Sequence, residues 1–374
     1  MGKPEIRFKG YTDEWEQRKF GDLVEKYEDP VVTPTEGYTR LGIRSHAKGT
    51  FHSYVEKGKE LETAKMFRVA SDKFIVNITF GWEHAVAITD ENDAGKLVSH
   101  RFPQYSFNAG MIPKFFRYLI LDKKFKHHLE LSSPGGAGRN RVLKLSDMLE
   151  YKMNFPCEEE QRKIAAYFDD LDNLITLHQR KCDEVKSLKK YMLQKMFPQN
   201  EQKVPEIRFE GFTEAWEQRK LGDVAQEFKS GNSLKADEID ITGDYPVYGG
   251  NGLRGYTSTY NHDGEYALIG RQGALCGNMN YSAGKAYFTE HAVVVKADEN
   301  NVTRFLYYML DTMNLGQYSD QSAQPGLAVN KLVKLENSFP KKEEQQQIGA
   351  YFRSLDHLIT LHQQKCEELK KIKK

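Results

Sequence analysis

Two stretches of the chain place apolar side chains alternately four and three residues apart, with charged residues filling the positions between them. The spaced positions of the first stretch are interrupted only at Lys189 and comprise Ile164, Phe168, Leu171, Ile175, His178, Cys182, Val185, Met192 and Met196. Those of the second stretch are Ile348, Phe352, Leu355, Ile359, His362, Cys366 and Leu369. This spacing is typical of helices that pack on each other as a coiled coil. We therefore predict two long helices, the first over residues 158–197 and about 60 Å long.

In the segments that precede these helices, the pattern changes to short runs rich in β-branched and aromatic residues. The runs that predict strands are residues 73–78, 84–88, 266–269 and 292–295. Near the end of each segment the pattern predicts a helix, at residues 113–131 and 303–314. We therefore expect each segment to form a compact α+β domain.

The sequence also contains an internal duplication. Residues 4–22 recur as 205–223 with 14 of 19 positions identical, and residues 155–190 recur as 339–374 with 23 of 36 identical. The inserts between them, residues 23–154 and 224–338, do not align by eye. Gene duplication followed by drift would scatter the differences, whereas here the near-identity stops abruptly at the insert edges. This contrast favours one duplicated frame that carries two different recognition surfaces.

The duplication also predicts the domain organisation. Two equivalent helices, each following an equivalent globular domain, pack most simply antiparallel about a pseudo-twofold axis, so that both domains face one duplex. The predicted class is α+β, with two globular domains separated by two long antiparallel coiled-coil helices. The predicted domains and helices are residues 1–154, 155–200, 201–338 and 339–374.

Composition limits where a charged ligand can bind. Lys and Arg total 54 against 53 Asp and Glu, a net charge of +1, so attraction to nucleic acid requires local clustering of charge. No run reaches the 18 or more apolar residues of a membrane span, and the polar first residues do not resemble a signal peptide. The four cysteines include no Cys-x-x-Cys pair. We expect a cytoplasmic protein without disulfides that does not associate with membranes.

One set of residues could bind a metal ion. His178 and Cys182 lie four residues apart on the first helix, and His362 and Cys366 repeat them on the second. Together they could supply a Cys₂His₂ zinc site. We favour the alternative that all four are seam residues of the coiled coil, and predict no metal.

Candidate DNA-contacting residues of the second insert lie in glycine-rich stretches. Glycine lets the backbone approach a ligand closely, and Asn, Gln and Arg can form the hydrogen-bond pairs that distinguish base edges. The candidates are Tyr248, Asn251, Arg254, Arg271 and Gln272, with Arg254, Arg271 and Gln272 preferred. For each of them, turn formation with an exposed side chain is the competing explanation.

The first insert offers Arg40, Arg44, His46 and Lys48 in one predicted loop, and Trp82 with His84 in another. A polar, glycine-containing loop also precedes each long helix. In the first half its candidates are Arg139, Asn140 and Arg141, suited to phosphate contacts, and in the second half they are Gln321, Ser322, Gln324, Asn330 and Lys331, suited to groove contacts. A solvated linker remains the alternative for both loops.

Several repeated motifs carry a family resemblance. A Phe-Pro-x-x-Glu-Glu-Gln element leads into each long helix. An Arg-Phe-x-Gly-Tyr/Phe-Thr element leads through Trp to Lys-Phe/Leu-Gly-Asp before each insert. Together with the Tyr248–Gly252 and Gly270–Gly273 stretches, they closely resemble the specificity subunits of type I restriction-modification enzymes over essentially the whole chain. The resemblance implies two target recognition domains, each recognising half of a split DNA site in the major groove. It also implies assembly with two modification subunits, which hold S-adenosylmethionine and methylate adenine, and with restriction subunits, which use ATP and Mg²⁺ to translocate and cut DNA.

Two other functional classes compete with this one. A methyltransferase or nuclease would need a cofactor or phosphate loop, and the sequence contains no Gly-rich loop opening a helix after a strand, no Asp/Asn-Pro-Pro-Tyr/Phe motif and no Gly-x-x-x-x-Gly-Lys-Ser/Thr motif. We therefore expect no catalytic residues and no cofactor in this chain. A scaffold that joins protein partners would bind DNA without base preference, whereas a specificity subunit should lose about 1 to 3 kcal/mol for each wrong base pair.

Overall fold

The computed structural model describes residues 4–60, 65–135, 141–199, 202–319 and 326–373. The chain forms two compact units, Met1–Asn173 and Leu174–Lys374. The boundary lies inside the first long helix, whose beginning packs with the first unit and whose remainder packs with the second. This two-part division differs from the four segments expected from the sequence, because neither long helix is separate from a globular core.

The strands of the first unit are β1 (Glu16–Lys19), β2 (Val24–Tyr27), β3 (Pro30–Val32), β4 (Tyr38–Ile43), β5 (Thr50–Val55), β6 (Lys65–Arg68), β7 (Lys73–Val76), β8 (Val86–Ile88), β9 (Leu97–Val98), β10 (Gln104–Phe107) and β11 (Lys152–Phe155). Its helices are α1 (Phe20–Leu23), α2 (Pro113–Leu119), α3 (Lys123–Leu131), α4 (Leu145–Leu149) and the start of α5 (Glu158–Met196). They form a two-stranded sheet β1-β11, a four-stranded sheet β2-β10-β7-β8 and a five-stranded sheet β3-β6-β9-β4-β5.

The strands of the second unit are β12 (Glu217–Lys220), β13 (Ala225–Ser230), β14 (Tyr245–Gly249), β15 (Gly252–Thr257), β16 (Glu265–Gly270), β17 (Met279–Ala283), β18 (Tyr287–Phe288), β19 (Ala292–Ala297) and β20 (Glu336–Phe339). Its helices are α6 (Thr303–Thr312), α7 (Val329–Leu332) and α8 (Lys342–Lys373). They form a two-stranded sheet β12-β20, a four-stranded sheet β13-β19-β16-β17 and a three-stranded sheet β15-β14-β18.

The four-stranded sheets of the two units have the same topology, although the inserts share no alignable sequence. In the first unit β2 pairs with β10, β10 with β7, and β7 with β8. In the second unit β13 pairs with β19, β19 with β16, and β16 with β17. All six pairs are antiparallel. The remaining sheet differs, with five strands in the first unit and three in the second. We call these two sheets the variable sheets, because they are the part of each insert that the duplication does not share.

Both long helices begin inside the hydrophobic core of a unit. Ala165 of α5 is buried with Phe116, Phe125 and Phe155 in the first unit. In the second unit the start of α8 is buried among the aromatic side chains of Trp216, Phe305 and Phe339. The end of α5 contributes to this second core through Met196, and Phe197, which follows the helix, lies in the same core. The apolar spacing that predicted a coiled coil therefore serves two purposes, core packing at the helix starts and helix pairing beyond them.

Within the second unit, α5 and α8 run antiparallel where they contact each other. Nδ1 of His178 lies 3.0 Å from Nδ1 of His362. On either side of this pair, Sγ of Cys182 lies 4.0 Å from the carbonyl oxygen of Ile359, and Sγ of Cys366 lies 3.6 Å from that of Ile175. Each contact is repeated with the equivalent residues exchanged, so a local pseudo-twofold axis passes between the histidines. The predicted antiparallel pairing is confirmed.

The interruption of the apolar spacing at Lys189 has a structural cause. Its ammonium group lies 2.6 Å from Oδ1 of Asp356 on α8 and 5.3 Å from the ring centre of Tyr308. Tyr308 in turn donates a hydrogen bond of 2.7 Å to Oδ2 of Asp356. A lysine at this seam position is thus paired rather than exposed.

The predicted strands at residues 73–78, 84–88, 266–269 and 292–295 correspond to β7, β8, β16 and β19. The prediction of one helix over residues 113–131 is wrong in one respect, since the helix is broken into α2 and α3. The side chain of Asp122 accepts a hydrogen bond from the backbone N–H of Lys124 and so caps a new helix. In the part of the chain that the structure describes, no helix is both long and apolar enough to cross a membrane.

Candidate nucleic-acid interface

In the first unit, two of the predicted loops lie against each other. The turn between β4 and β5 donates backbone hydrogen bonds of 2.8 Å from His46 to the carbonyl of Glu83 and from Ala47 to that of His84. The hydroxyl of Ser45 donates to the carboxylate of Glu83. Arg44, His46 and Lys48 are exposed at this turn. One cationic surface therefore joins the tip of the variable sheet to the connection between β7 and β8.

The loop before the first long helix reaches the same place. The guanidinium of Arg141 lies 5.3 Å from the ring centre of Trp82. The same group donates to the carbonyl oxygens of Ser133 at 3.1 Å and Glu130 at 2.9 Å. These contacts anchor Arg141 beside Trp82 and use two of the five N–H groups of its guanidinium.

Two candidates of the first insert need correction, and two cannot be placed. His84 is 4% exposed, and its Nε2 lies 2.8 Å from the carbonyl oxygen of Ile120, so its ring faces the core and is withdrawn from the DNA-contact set. Burial lowers the pKa of His84, which favours the neutral ring. Arg40 lies within β4 and not in a loop. Arg139 and Asn140 lie outside the described residues.

In the second unit, the glycines bring the hairpin of the variable sheet into close contact with the β16–β17 connection. A Cβ atom on Gly270 would lie 2.5 Å from the carbonyl oxygen of Gly250, and one on Gly250 would lie 2.9 Å from that of His291. Side chains at these positions would force the strands apart. The sequence predicts that these glycines let the backbone approach a ligand closely. In the structure, Gly250 and Gly270 let two backbone segments of the protein approach each other.

The preferred arginine and glutamine candidates surround this corner. Arg254 is exposed on β15, and its side chain covers Gly249, where a Cβ would lie 2.6 Å from the arginine Cδ. Arg271 follows β16, and its backbone N–H donates to the carbonyl of His291 at 2.9 Å. Oε1 of Gln272 lies 3.1 Å from Nδ1 of His291. The fold thus gathers all three preferred candidates around one corner.

The remaining candidates of the second unit divide into three groups. Asn251 is exposed at the hairpin tip, whereas Tyr248 packs against Phe288 with ring centres 6.1 Å apart. Asn330 and Lys331 lie on α7, with Asn330 exposed. The loop that leads to α7 joins the corner, because Leu327 donates a backbone hydrogen bond of 2.9 Å to the carbonyl of Arg271. Gln321, Ser322 and Gln324 lie outside the described residues.

The candidate surfaces of the two units are built from topologically equivalent pieces. Each combines the hairpin tip of the variable sheet, the connection after β7 or its equivalent β16, and the loop before a long helix. The side chains presented by these pieces differ between the units. Equivalent positions of the two units therefore carry different side chains. This is the arrangement expected of two different recognition surfaces.

Sequence reasoning missed one further piece of this surface, the segment that enters the last strand of each four-stranded sheet. In the first unit it contains the exposed His100 and Arg101, and the carbonyl of Arg101 accepts a backbone hydrogen bond of 3.0 Å from Ile78. In the second unit it contains Glu290 and His291. No composition or spacing marks these residues, because their position depends on the pairing of strands far apart in sequence.

The possible zinc set does not converge. The antiparallel pairing places Cys182 and Cys366 one helical turn to opposite sides of the His178–His362 pair, about 12 Å apart along the helix axis. A zinc ion requires all its ligands within about 2.0 to 2.3 Å. Among the described residues, no group of three or more His, Cys, Asp and Glu side chains could hold a metal ion.

Comparisons with known proteins agree with this architecture. The family model for the type I restriction modification DNA specificity domain matches residues 12–187 and 213–371. The putative type I restriction enzyme MjaX specificity subunit of Methanocaldococcus jannaschii is 24% identical over an alignment covering 97% of this chain and 91% of that protein. The crystal structure of a type I restriction-modification S subunit from M. genitalium has a TM-score of 0.66 at 18% identity, covering 100% of this chain and 97% of that one, and so shares the fold.

A stronger local match is to the type I restriction enzyme EcoprrI specificity subunit of Escherichia coli, which is 51% identical over 114 residues. That segment is 30% of this chain and only 28% of the relative's length. The family model covers most of both halves of the chain, in keeping with the duplicated frame. The chain therefore belongs to the family of type I restriction-modification DNA specificity proteins.

Proposed function

We propose that this chain is the DNA-recognition subunit of a type I restriction-modification enzyme, and that each unit recognises one half of a bipartite target. The supporting observation is the pair of topologically equivalent surfaces that carry different side chains on one duplicated frame. A protein that bound DNA without base preference would have no need for two unlike variable sheets. Arg44 and Lys48 in the first unit and Arg254 in the second supply the local positive charge that the net charge of +1 lacks.

The chemistry would belong to partner subunits. Two modification subunits would methylate adenine with S-adenosylmethionine, and restriction subunits would translocate and cut DNA with ATP and Mg²⁺, each directed by the site that this chain binds. The duplicated frame supports two copies of one kind of partner, because equivalent surfaces can bind equivalent proteins.

Exchange of one insert tests this proposal. The frame strand β11 begins at Lys152, so the exchange should replace residues 23–151 by the insert of another specificity protein and leave the β1–β11 pairing intact. Methylated adenines are then mapped in DNA from cells that express the chimaera with its modification subunits. We expect a new sequence in one half of the methylated site and the original sequence in the other half.

The matched experiment exchanges the second insert, residues 224–335, in front of β20, and should change only the other half. Unchanged methylation in both halves would contradict the proposal. DNA binding without any base preference would instead favour the scaffold alternative.

A further inference from the structure

A groove of about 640 Å³ opens on the first unit beside the candidate surface. Its walls come from the β4–β5 hairpin, from the connection between β7 and β8, and from the segment Ser99–Phe102 that enters β10. The first two walls belong to the surface already described. The third wall, which we call the entry segment, is the piece that sequence analysis did not identify.

The lining of the groove suits the edges and faces of bases. Phe51, Phe80 and Phe102 supply aromatic surface, and the ring of Phe51 lies so close over Gly42 that any Cβ there would meet it at 2.3 Å. Hydrogen-bonding groups of both kinds surround these rings, with guanidinium donors at Arg40 and Arg101 and a carboxylate acceptor at Glu83. A surface that bound only phosphate would need donors alone. The mixture of donors and acceptors is what base edges require.

Arg101 is the best placed donor of the groove. Its side chain is exposed and makes no hydrogen bond or ion pair with the described residues. Its backbone is held in place, because its carbonyl oxygen accepts the hydrogen bond of 3.0 Å from Ile78. Ser99 also orders the segment, accepting on its hydroxyl from the backbone N–H of Arg101 at 3.4 Å. A fixed backbone with a free guanidinium is suited to forming two parallel hydrogen bonds with one base.

The second unit repeats this arrangement with different residues. His291 occupies the equivalent position before β19, and its carbonyl oxygen accepts the hydrogen bond of 2.9 Å from Arg271, just as that of Arg101 accepts from Ile78. The imidazole of His291 contacts Gln272, one of the predicted base-contacting residues. The same backbone connection therefore presents an arginine in one unit and a histidine in the other.

We propose that the entry segment is a specificity-determining element in both units, with Arg101 recognising a guanine in one half of the site and His291 acting with Gln272 on a base in the other half. We infer guanine as the base that Arg101 recognises, because paired hydrogen bonds from arginine to O6 and N7 of guanine are the commonest specific contact in the major groove. This inference rests on the proposed function. It adds residues to the recognition surface that neither composition nor motif marks.

The test uses the chain assembled with its modification subunits. Binding is measured on a panel of duplexes in which each base pair of the target is replaced in turn, and methylated sites are mapped in the host. For Arg101→Ala, discrimination should fall about 5- to 150-fold at one guanine of one half-site and remain unchanged in the other half. Arg101→Lys keeps the charge and should lose most of the same discrimination, since an ammonium group does not form the paired contact.

Arg68→Ala is the matched control. Arg68 is an exposed arginine on β6 of the first unit, paired with Asp29 and absent from the groove lining. The Arg68→Ala variant should leave binding to every duplex of the panel unchanged. His291→Ala should relax a position in the half-site that Arg101→Ala does not affect. Thermal unfolding of each complex shows whether the fold is retained.

Three outcomes would overturn this inference. The Arg101→Ala profile could match that of the unchanged protein. It could weaken binding to all sequences equally and reduce the salt dependence, which would place Arg101 on a phosphate. His291→Ala and Arg101→Ala could also affect the same half-site. If the unchanged protein itself showed no base preference, the proposed function would fail instead, so the two failures are distinguishable.

Discussion

At the scale of single residues, the repeated motifs form buried contacts that join the start of each half to its long helix. Arg208 bonds through Nε and Nη2 to both carboxylate oxygens of Glu344, each at 2.7 Å, and Glu344 is 1% exposed. Arg7 makes the same paired contact with Glu160 in the first unit. The neighbouring Gln345 accepts from the backbone N–H of Val302, which ties the helix start to the insert. The Glu-Gln of the motif is thus a structural clamp.

Loss of one member of this clamp should be costly. Replacing Glu344 by Ala leaves the Arg208 guanidinium buried without its counter-charge, and we expect the free energy of unfolding to fall by about 3 to 5 kcal/mol. Urea unfolding of the second unit within the full chain measures this loss. Glu343→Ala, at the exposed neighbouring position, is the control and should change stability by less than about 0.5 kcal/mol. Similar losses for the two variants would show that the pair is not a structural clamp.

At the scale of elements, one histidine pair lies at the centre of the contact between α5 and α8. With the two Nδ1 atoms 3.0 Å apart, one ring must donate the hydrogen bond and the other must accept it. Burial, followed by the neighbouring His362, Lys181 and Lys365, lowers the pKa of His178. Protonation of both rings would remove the acceptor of this hydrogen bond and place two like charges side by side, so it should weaken the helix pairing.

The sign of the pH dependence follows from this lowered pKa. The folded-state pKa of His178 lies below its unfolded value of about 6.5. The contribution of His178 to folding stability is therefore fully present above about pH 6.5. It is lost as the pH falls through 6.5 towards the folded-state pKa. Stability measured by thermal unfolding between about pH 7.5 and 5 should fall less for His178→Gln than for the unchanged chain. His357→Gln, exposed on α8, is the control and should keep the original slope.

An equal slope for His178→Gln and the unchanged chain would contradict this role of the pair. A steeper slope would do the same, since it would mean that the histidine stabilises the helices in its charged form.

At the scale of the whole molecule, the division into two compact units predicts independent recognition. Arg101 belongs to the first unit and Gln272 to the second. Their substitutions should therefore weaken binding additively, so that the double variant Arg101→Ala/Gln272→Ala loses the sum of the two single losses to within about 0.5 kcal/mol. Titration of each assembled complex with its target duplex measures the loss of binding free energy for the two single variants and the double variant. A coupling above about 1 kcal/mol would indicate that the two half-sites are not recognised independently.

Much of this organisation follows from the linear pattern of residues. Apolar spacing places both long helices, because helix periodicity is a local property, and β-branched runs mark β7, β8, β16 and β19 for the same reason. The duplication identifies the frame and the two inserts from identity alone. The glycine-rich stretches of the second insert direct attention to Arg254, Arg271 and Gln272, which the fold gathers at one corner.

Other features depend on contacts between distant parts of the chain. The four-stranded sheet common to both units is invisible in the sequence, because strand pairing depends on burial and topology and is met by many different residues. The same is true of His84, which looks like a surface ligand but bonds to Ile120 in the core, and of Arg101 and His291, which strand pairing places beside the predicted surface. Antiparallel pairing of the helices likewise separates the two cysteines that sequence spacing had grouped with the histidines. Local periodicity sets the elements, whereas long-range packing decides which side chains share a surface.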